Sequence, residues 1–229
     1  MDKVMIKEMF ENAVHIGHRT QKWNPRMERF IFGERNGIHI INLEKTQECL
    51  EKALDFLGRC ASEGKMMLFV STKPQSLKVV EEIAKECSSP YVVSKWIPGL
   101  LTNFSTIKQR IRYLADLKDQ KATGELSKYT KKEQAKLGKV IGKLEASLGG
   151  VQNVTACPDA VIVLDVVRDH IAVLEAKKLG IPVVGIVDTN SNPTEIDYPI
   201  PANDDALMSL KYLLGKVRDT VQKSRKSRV

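Results

Sequence analysis

Three uninterrupted apolar runs constrain this chain more than any other feature: Lys65 to Ser71 (KMMLFVS), Ala160 to Leu164 (AVIVL) and Pro182 to Val187 (PVVGIV). A strand with one face in water alternates apolar and polar residues. A strand that is apolar throughout needs cover on both faces, as in a parallel sheet held between helices. Helical patterns occupy the intervals. One is opened by Thr72-Lys73-Pro74, with Pro74 suited to the first turn, and runs to about Cys87. Another spans His170 to Leu179 and stops at Gly180, and a last one runs from Asp204, as N-cap, to about Val221. Tyr91-Val92-Val93 adds a short strand. The pattern predicts an α/β fold, a doubly wound three-layer sandwich.

Residues 104–148 break the alternation. Phe104, Ile107, Ile111, Leu114 and Lys118 follow a 3-4-3-4 spacing, and Leu137, Ile141, Leu144 and Leu148 follow 4-3-4. Two heptad-like segments around a polar loop with Gly124 predict an antiparallel helical hairpin, its cations facing out. Gly138 and Gly142 each cost roughly 1 kcal/mol in a helix interior, which weakens the second arm. The expected organisation is a core from 1–103 and 149–221, an inserted coiled-coil hairpin at 104–148, and a basic disordered tail at 222–229.

Charge is distributed unevenly. Residues 104–148 carry eleven Lys/Arg against five Asp/Glu, and residues 211–229 carry seven against one. Residues 149–210 reverse the balance, with three against nine. Such a split predicts a basic side facing a polyanion and an acidic side elsewhere. No apolar run approaches the length of a membrane span, and the N-terminus MDKVMIKEMF resembles neither a secretory signal nor a transit peptide. It reads as an amphipathic helix, with Met5, Met9 and Ala13 aligned and Ile6, Phe10 and Val14 alongside. Cys49, Cys60, Cys87 and Cys157 form no CxxC pair and read as reduced core residues of a cytoplasmic protein.

The segment Trp23 to Thr46 (WNPRMERFIFGERNGIHIINLEKT) interleaves cations with planar groups: Arg26, Arg29, Arg35 and Lys45 with Trp23, Phe30, Phe32 and His39. Cations neutralise phosphates and planar faces stack on exposed bases, so this mixture suits RNA. Asn36-Gly37 between two apolar runs predicts a hairpin there, and an ordinary solvated hairpin would carry some of the same charges.

Enzyme signatures are weak. His15-Ile16-Gly17-His18 spells the string with which class I aminoacyl-tRNA synthetases hold ATP, but it follows a helix rather than a strand and lacks a KMSKS-like partner. The chain has no G-x-x-x-x-G-K-[ST], no G-x-G-x-x-G after a strand and no G-x-S-x-G. Asp165 and Asp188 follow apolar strands, where open α/β sheets place a ligand crevice, and they give the rival reading of a nucleotide-binding enzyme. Turn or capping roles for these acids are the simpler alternative.

Several strings together carry a family resemblance. Residues 23–46, Leu101-Thr102-Asn103-Phe104, Pro158-Asp159-Ala160, Lys177 to Val184, Val187-Asp188-Thr189-Asn190 and Tyr198 to Ala206 resemble the bacterial and organellar small-subunit ribosomal protein two family. The resemblance implies a flavodoxin-like α/β/α core with a protruding helical hairpin and no enzymatic activity. It also implies a structural place in the small ribosomal subunit, bound to rRNA between head and body beside neighbouring ribosomal proteins. Recruitment of ribosomal protein one, and a location in bacterial cytoplasm or plastid stroma, follow from the same resemblance.

The RNA contacts expected on this basis are Lys22, Trp23, Arg26 and Arg35, then Lys73, Lys95 and Asn103 on core loops. Lys108, Arg110, Arg112, Lys131, Lys132 and Lys136 extend them along the hairpin. Three departures from the family pattern affect this carry-over. Ser71-Thr72-Lys73-Pro74-Gln75-Ser76 stands for G-T-K-x-Q-A, Lys95-Trp96-Ile97-Pro98-Gly99 for R-W-L-G-G, and Ser191-Asn192-Pro193 for C-D-P. Lys95 lacks the bidentate fork of an Arg.

No cofactor is required by this reading. A single divalent ion is nevertheless a candidate, held by Asp188, Asp204 or Asp205 and His18, because the first two places share the carboxyl edge of such a sheet. With His18 as a ligand the site favours zinc; with oxygen alone it suits magnesium.

Overall fold

The computed structural model describes residues 3–226. Five strands form a parallel sheet: β4 (Met67–Val70), β5 (Tyr91–Val92), β6 (Ala160–Val163), β7 (Val183–Val187) and β8 (Tyr198–Pro201), in the order β5-β4-β6-β7-β8. This is the flavodoxin-like order, with the chain reversing direction across the sheet between β4 and β6. The apolar runs are these strands. Along β4, Met67 and Phe69 enter one apolar layer, whereas Leu68 and Val70 enter the other. β6 divides likewise into Ile162 on one side and Val161 and Val163 on the other. Both faces are therefore buried, which is why alternation is absent from the sequence. Pro199 and Pro201 sit on the edge strand β8, where a missing N–H is tolerated.

The first layer is covered by α2 (Leu43–Ser62), α3 (Leu77–Glu86) and α7 (Leu207–Lys226), with α1 (Lys3–Glu11) adding Met9. The second is covered by α6 (His170–Lys178) together with α4 (Phe104–Ala122) and α5 (Lys131–Leu148). α6 ends at Lys178, and Gly180 just beyond it, with φ of 68°, accepts the left-handed turn expected there.

A separate three-stranded sheet precedes the core: β1 (Ile16–Arg19), β2 (Ile31–Arg35) and β3 (Ile38–Ile41), ordered β1-β3-β2 and antiparallel. Asn36 and Gly37 link β2 to β3 with φ of 54° and 74°, the two positive values a tight hairpin turn demands. This hairpin confirms the expectation drawn from Asn-Gly.

Several boundaries differ from the sequence reading. α1 ends at Glu11, so Ala13 and Val14 follow the helix instead of continuing its face. α3 starts at Leu77 rather than at Pro74, because Thr72 to Ser76 forms a turn closed by the Ser71–Ser76 hydroxyl contact of 2.6 Å and by Ser76 N donating to Lys73 O. α7 starts at Leu207, and Asp204 is not its cap. Asn203 instead shapes the turn before the helix, its Oδ1 accepting from Asp205 N at 2.8 Å and Ala206 N at 3.0 Å. α7 also continues to Lys226, so residues 222–226 are helical where a disordered tail was expected; 227–229 lie outside the described residues.

The segment 104–148 contains two helices around a polar turn, and α5 begins with a capping box between Thr130 and Glu133. On α4 the buried positions are Ile107, Ile111, Leu114 and Leu117, with Leu117 in the place expected for Lys118. On α5 Ile141 and Leu148 are buried, whereas Leu137 and Leu144 are only half-buried. Ile107 and Ile111 line one apolar pocket with Leu68, Leu100 and Leu101, so the start of α4 packs on the sheet's own layer. Among these contacts the two helices read as packed partners, without the uniform buried seam of a coiled coil.

Candidate nucleic-acid interface and carboxylate cluster

Most of the expected RNA contacts are solvent-exposed. Lys22, Trp23, Arg26 and Arg35 lie at the surface around the small sheet. Trp23 is 38% exposed, its ring 5.3 Å from His39 and tilted 48° to it. Asn24 shapes this segment: its Oδ1 accepts from Arg26 N at 3.0 Å, and its own N–H donates to Thr189 O at 2.7 Å. The small sheet is thereby fastened to the carboxyl end of β7. His18 N–H reinforces the join by donating to Thr189 Oγ1 at 2.8 Å.

Lys95 and Asn103 are exposed on the connection that leads into α4. That connection is held from below by a residue the sequence reading missed. Glu175 of α6 is 8% exposed, and its Oε1 accepts from Trp96 Nε1 at 3.0 Å and Gly99 N at 2.7 Å. Its Oε2 accepts from Leu101 N, Thr102 N and Thr102 Oγ1, each at 3.1 Å. Burial alone would raise this carboxyl's pKa, but the donors from Trp96, Gly99, Thr102 and Leu101 prevail and hold it below the usual range. A lone Glu in an otherwise apolar-patterned helix stretch was the only trace of it in the sequence.

Along the helical segment, Arg110, Arg112, Lys131, Lys132 and Lys136 are exposed, and Lys108 is half-buried with Nζ donating to Thr155 O at 3.3 Å. These cations share helices whose apolar positions are buried, so the charge faces solvent.

Lys73 is the exception, and it corrects the sequence reading. It is only 8% exposed and points beneath the carboxyl edge of the large sheet. Nζ donates to Asp204 O and Oδ1, both at 2.8 Å, and pairs with Asp205 Oδ1 at 2.6 Å and Asp165 Oδ2 at 3.4 Å. Burial would lower its pKa, yet the carboxylates of Asp204 and Asp205 hold it well above the usual lysine range. A buried ammonium ringed by carboxylates has no phosphate to meet. The Thr72–Ser76 turn, which delays α3, is what aims it inward.

Asp188, Asp204 and Asp205 do converge with His18. His18 Nδ1 lies 3.2 Å from Asp188 Oδ1, and Nε2 lies 3.5 Å from Asp205 Oδ2. Ligand atoms of His18, Asp188 and Asp204 all fall within 4.8 Å of one another. Burial, with Asp188 and Asp165 nearby, pushes Asp204 up to about 7, and Asp188 raises His18. Four acids thus surround one lysine and one histidine. This donor set fits a borderline divalent cation.

The same geometry overturns the nucleotide-enzyme reading. Asp165 and Asp188 do occupy the crevice where open α/β sheets hold ligands, but Lys73 fills it from beneath. Asp165 also serves a turn, Oδ1 accepting from Arg168 N at 2.8 Å. His15 to His18 enters β1 of an antiparallel sheet, and Gly17 is packed so closely on Thr189 that a Cβ would lie 2.5 Å from Thr189 Cγ2. That string serves the packing of the small sheet on Thr189.

Comparison with known proteins decides the family: the profile described as Ribosomal protein S2 matches residues 9–224. The chain belongs to the ribosomal protein S2 family. Relatives named Small ribosomal subunit protein uS2 from three strains of Dehalococcoides mccartyi are each 45% identical over 221 residues, covering 96% of this chain and 90% of the relative. S2-family proteins are structural and non-enzymatic, and this chain is accordingly not an enzyme. Among the described residues no helix is long and apolar enough to cross a membrane.

Proposed function

We propose that this chain is a structural constituent of the small ribosomal subunit that binds subunit rRNA between head and body, in the bacterial cytoplasm or a plastid stroma. The observation that carries this reading is the exposure of Arg110, Arg112, Lys131, Lys132 and Lys136 on helices whose apolar positions are buried. Exposed cations in rows neutralise phosphates and release counterions, a mode suited to A-form RNA. Exposed Trp23 supplies a planar face beside Lys22, Arg26 and Arg35, and Lys95 and Asn103 stand on the connection braced by Glu175.

Contact with neighbouring ribosomal proteins belongs to the same reading. Phe10, Ile16 and Phe32 are 60%, 38% and 78% exposed and line one cavity of about 530 Å3. An apolar surface of this kind on an otherwise polar protein suits a protein segment, and ribosomal protein one is the proposed partner.

The test is charge reversal of Lys108, Arg110 and Arg112 to Glu in a tagged chain, in competition with the unaltered protein. Lower incorporation into small subunits at an unchanged melting temperature is expected. Normal incorporation would remove α4 from the RNA interface.

The carboxylate cluster supports a second part of the reading: one divalent ion on His18, Asp188 and Asp204, with Asp205 beside them. The imidazole favours zinc over magnesium. Bound there, the ion would offset the carboxylates that Lys73 leaves uncompensated and fix the small sheet to the large one. Elemental analysis after chelation and reloading should give about one zinc per chain, lost in an Asp188→Ala/Asp205→Ala double variant. Equal metal content in both proteins would exclude the site.

A further inference from the structure

A cavity of about 580 Å3 opens at the amino-terminal edge of the large sheet, the end opposite the carboxylate cluster. Met66 and Tyr91, at the starts of β4 and β5, form part of its wall, and Lys65, Lys85 and Arg225 bring cations to it from three separate elements. Among the described residues no acidic one lines it. We propose that this cavity is a seat for backbone phosphates of the subunit rRNA; the inference rests on the RNA-binding reading above and adds a subsite remote from Trp23.

Four observations converge on that assignment. The charge of Arg225 is met by neutral acceptors, the carbonyl of Cys87 and the hydroxyl of Ser89. The guanidinium is thereby oriented while its positive charge stays available. Lys65 pairs with Glu63 at 2.6 Å, and Lys85 pairs with Glu81 at 2.7 Å with its Nζ 5.9 Å from the Tyr91 ring centroid. Exposed pairs of this kind are worth about 0–1 kcal/mol, so a phosphate can replace the carboxylate at little cost.

The wall is also shaped by necessity. Gly150 lies against β5 so closely that a Cβ there would come within 2.1 Å of Tyr91 O. A side chain at that position would displace the strand and alter the cavity. Finally, the cavity is continuous with the cationic helices. Gln152, in its wall, accepts from Lys118 Nζ of α4 at 3.3 Å, and Arg225 lies in the basic last turn of α7. The cavity therefore adjoins one cation of α4 and the basic end of α7.

The experiment measures rRNA affinity against salt concentration for the full chain, for Lys65→Gln/Lys85→Gln, and for a control, Lys177→Gln/Lys178→Gln, that removes equal charge from α6. Melting temperatures are recorded in parallel, and inorganic pyrophosphate is titrated into each protein by calorimetry. Each phosphate contact contributes about 0.7–0.9 to the slope of log affinity on log salt. The cavity variant is expected to lose about one to two units of slope, the control to keep its slope, and pyrophosphate to bind weakly.

An unchanged slope in the cavity variant, with steep binding by the unaltered chain, overturns the phosphate seat and leaves the RNA reading standing. An equal loss in the control also overturns it, since bulk charge then explains the effect. Saturable micromolar pyrophosphate binding that Lys65→Gln/Lys85→Gln abolishes, with rRNA affinity unmoved, overturns it in favour of a free phosphate ligand. No rRNA binding by the unaltered chain overturns both readings.

Discussion

Glu175 Oε1 accepts a hydrogen bond from Trp96 Nε1 at 3.0 Å, joining the middle of α6 to the connection that leads into α4. With Gly99, Leu101 and Thr102 also donating to it, this one carboxylate fixes seven consecutive residues, 96 to 102. The connection has no strand or helix of its own, so its amides need this partner.

Glu175→Ala leaves an indole and three amides without an acceptor, and a loss of about 3 kcal/mol or more in unfolding free energy is expected. Because the folded carboxyl titrates below the unfolded value of 4.5, its contribution is fully present above that pH. It is lost as pH falls through the lower folded value. Urea midpoints measured from pH 7 to pH 3 should therefore fall more steeply for the unaltered chain than for Glu175→Gln.

Lys73→Met should destabilise the fold by about 3–5 kcal/mol, since it strands Asp204 and Asp165 without their buried cation. Under conditions where the variant remains folded, the salt dependence of rRNA binding should match that of the unaltered chain. A reduced slope would mean that Lys73 reaches a phosphate after all.

Gly17→Ala places a methyl group 2.5 Å from Thr189 Cγ2 and 2.9 Å from Thr189 Oγ1. The small sheet must shift away from β7, at an expected cost of about 1–3 kcal/mol. Thr189→Ser in the same chain removes Cγ2 and keeps the hydroxyl that accepts from His18 N, so it should recover part of the loss. A double-mutant cycle on thermal unfolding measures the coupling, and simple additivity would refute the packing argument.

Trp23 is exposed enough for its replacement to leave stability almost unaltered. If it stacks on a base, Trp23→Ala should weaken rRNA binding by about 1–3 kcal/mol, and Trp23→Phe by less. Equal affinity across all three proteins would assign Trp23 to packing on His39 alone.

The parallel sheet was legible because strands buried on both faces leave continuous apolar runs, and AVIVL and PVVGIV became β6 and β7. The tight turn at Asn36-Gly37 was equally local, fixed by two residues that accept positive φ. Exposed cations such as Arg110 and Lys132 were legible too, since solvent exposure follows from helical spacing against apolar neighbours. That Asp188, Asp204 and Asp205 lie close together followed from strand ends sharing one edge of the sheet, whereas His18 reaches them through the contact of the small sheet with Thr189.

Tertiary structure alone decided which way Lys73 points. A lysine in a loop is equally able to face water or a buried carboxylate, and the choice depends on acids that are 92, 131 and 132 positions away in the chain, Asp165, Asp204 and Asp205. Glu175 was hidden for the same reason: its donors lie on another element, so no spacing along α6 announces them. The extension of α7 to Lys226 likewise depends on packing, with Arg225 held by the carbonyl of Cys87 at the end of α3. Local pattern encodes burial and turn geometry. The pairing of buried charge is a property of three-dimensional proximity, and the sequence does not display it.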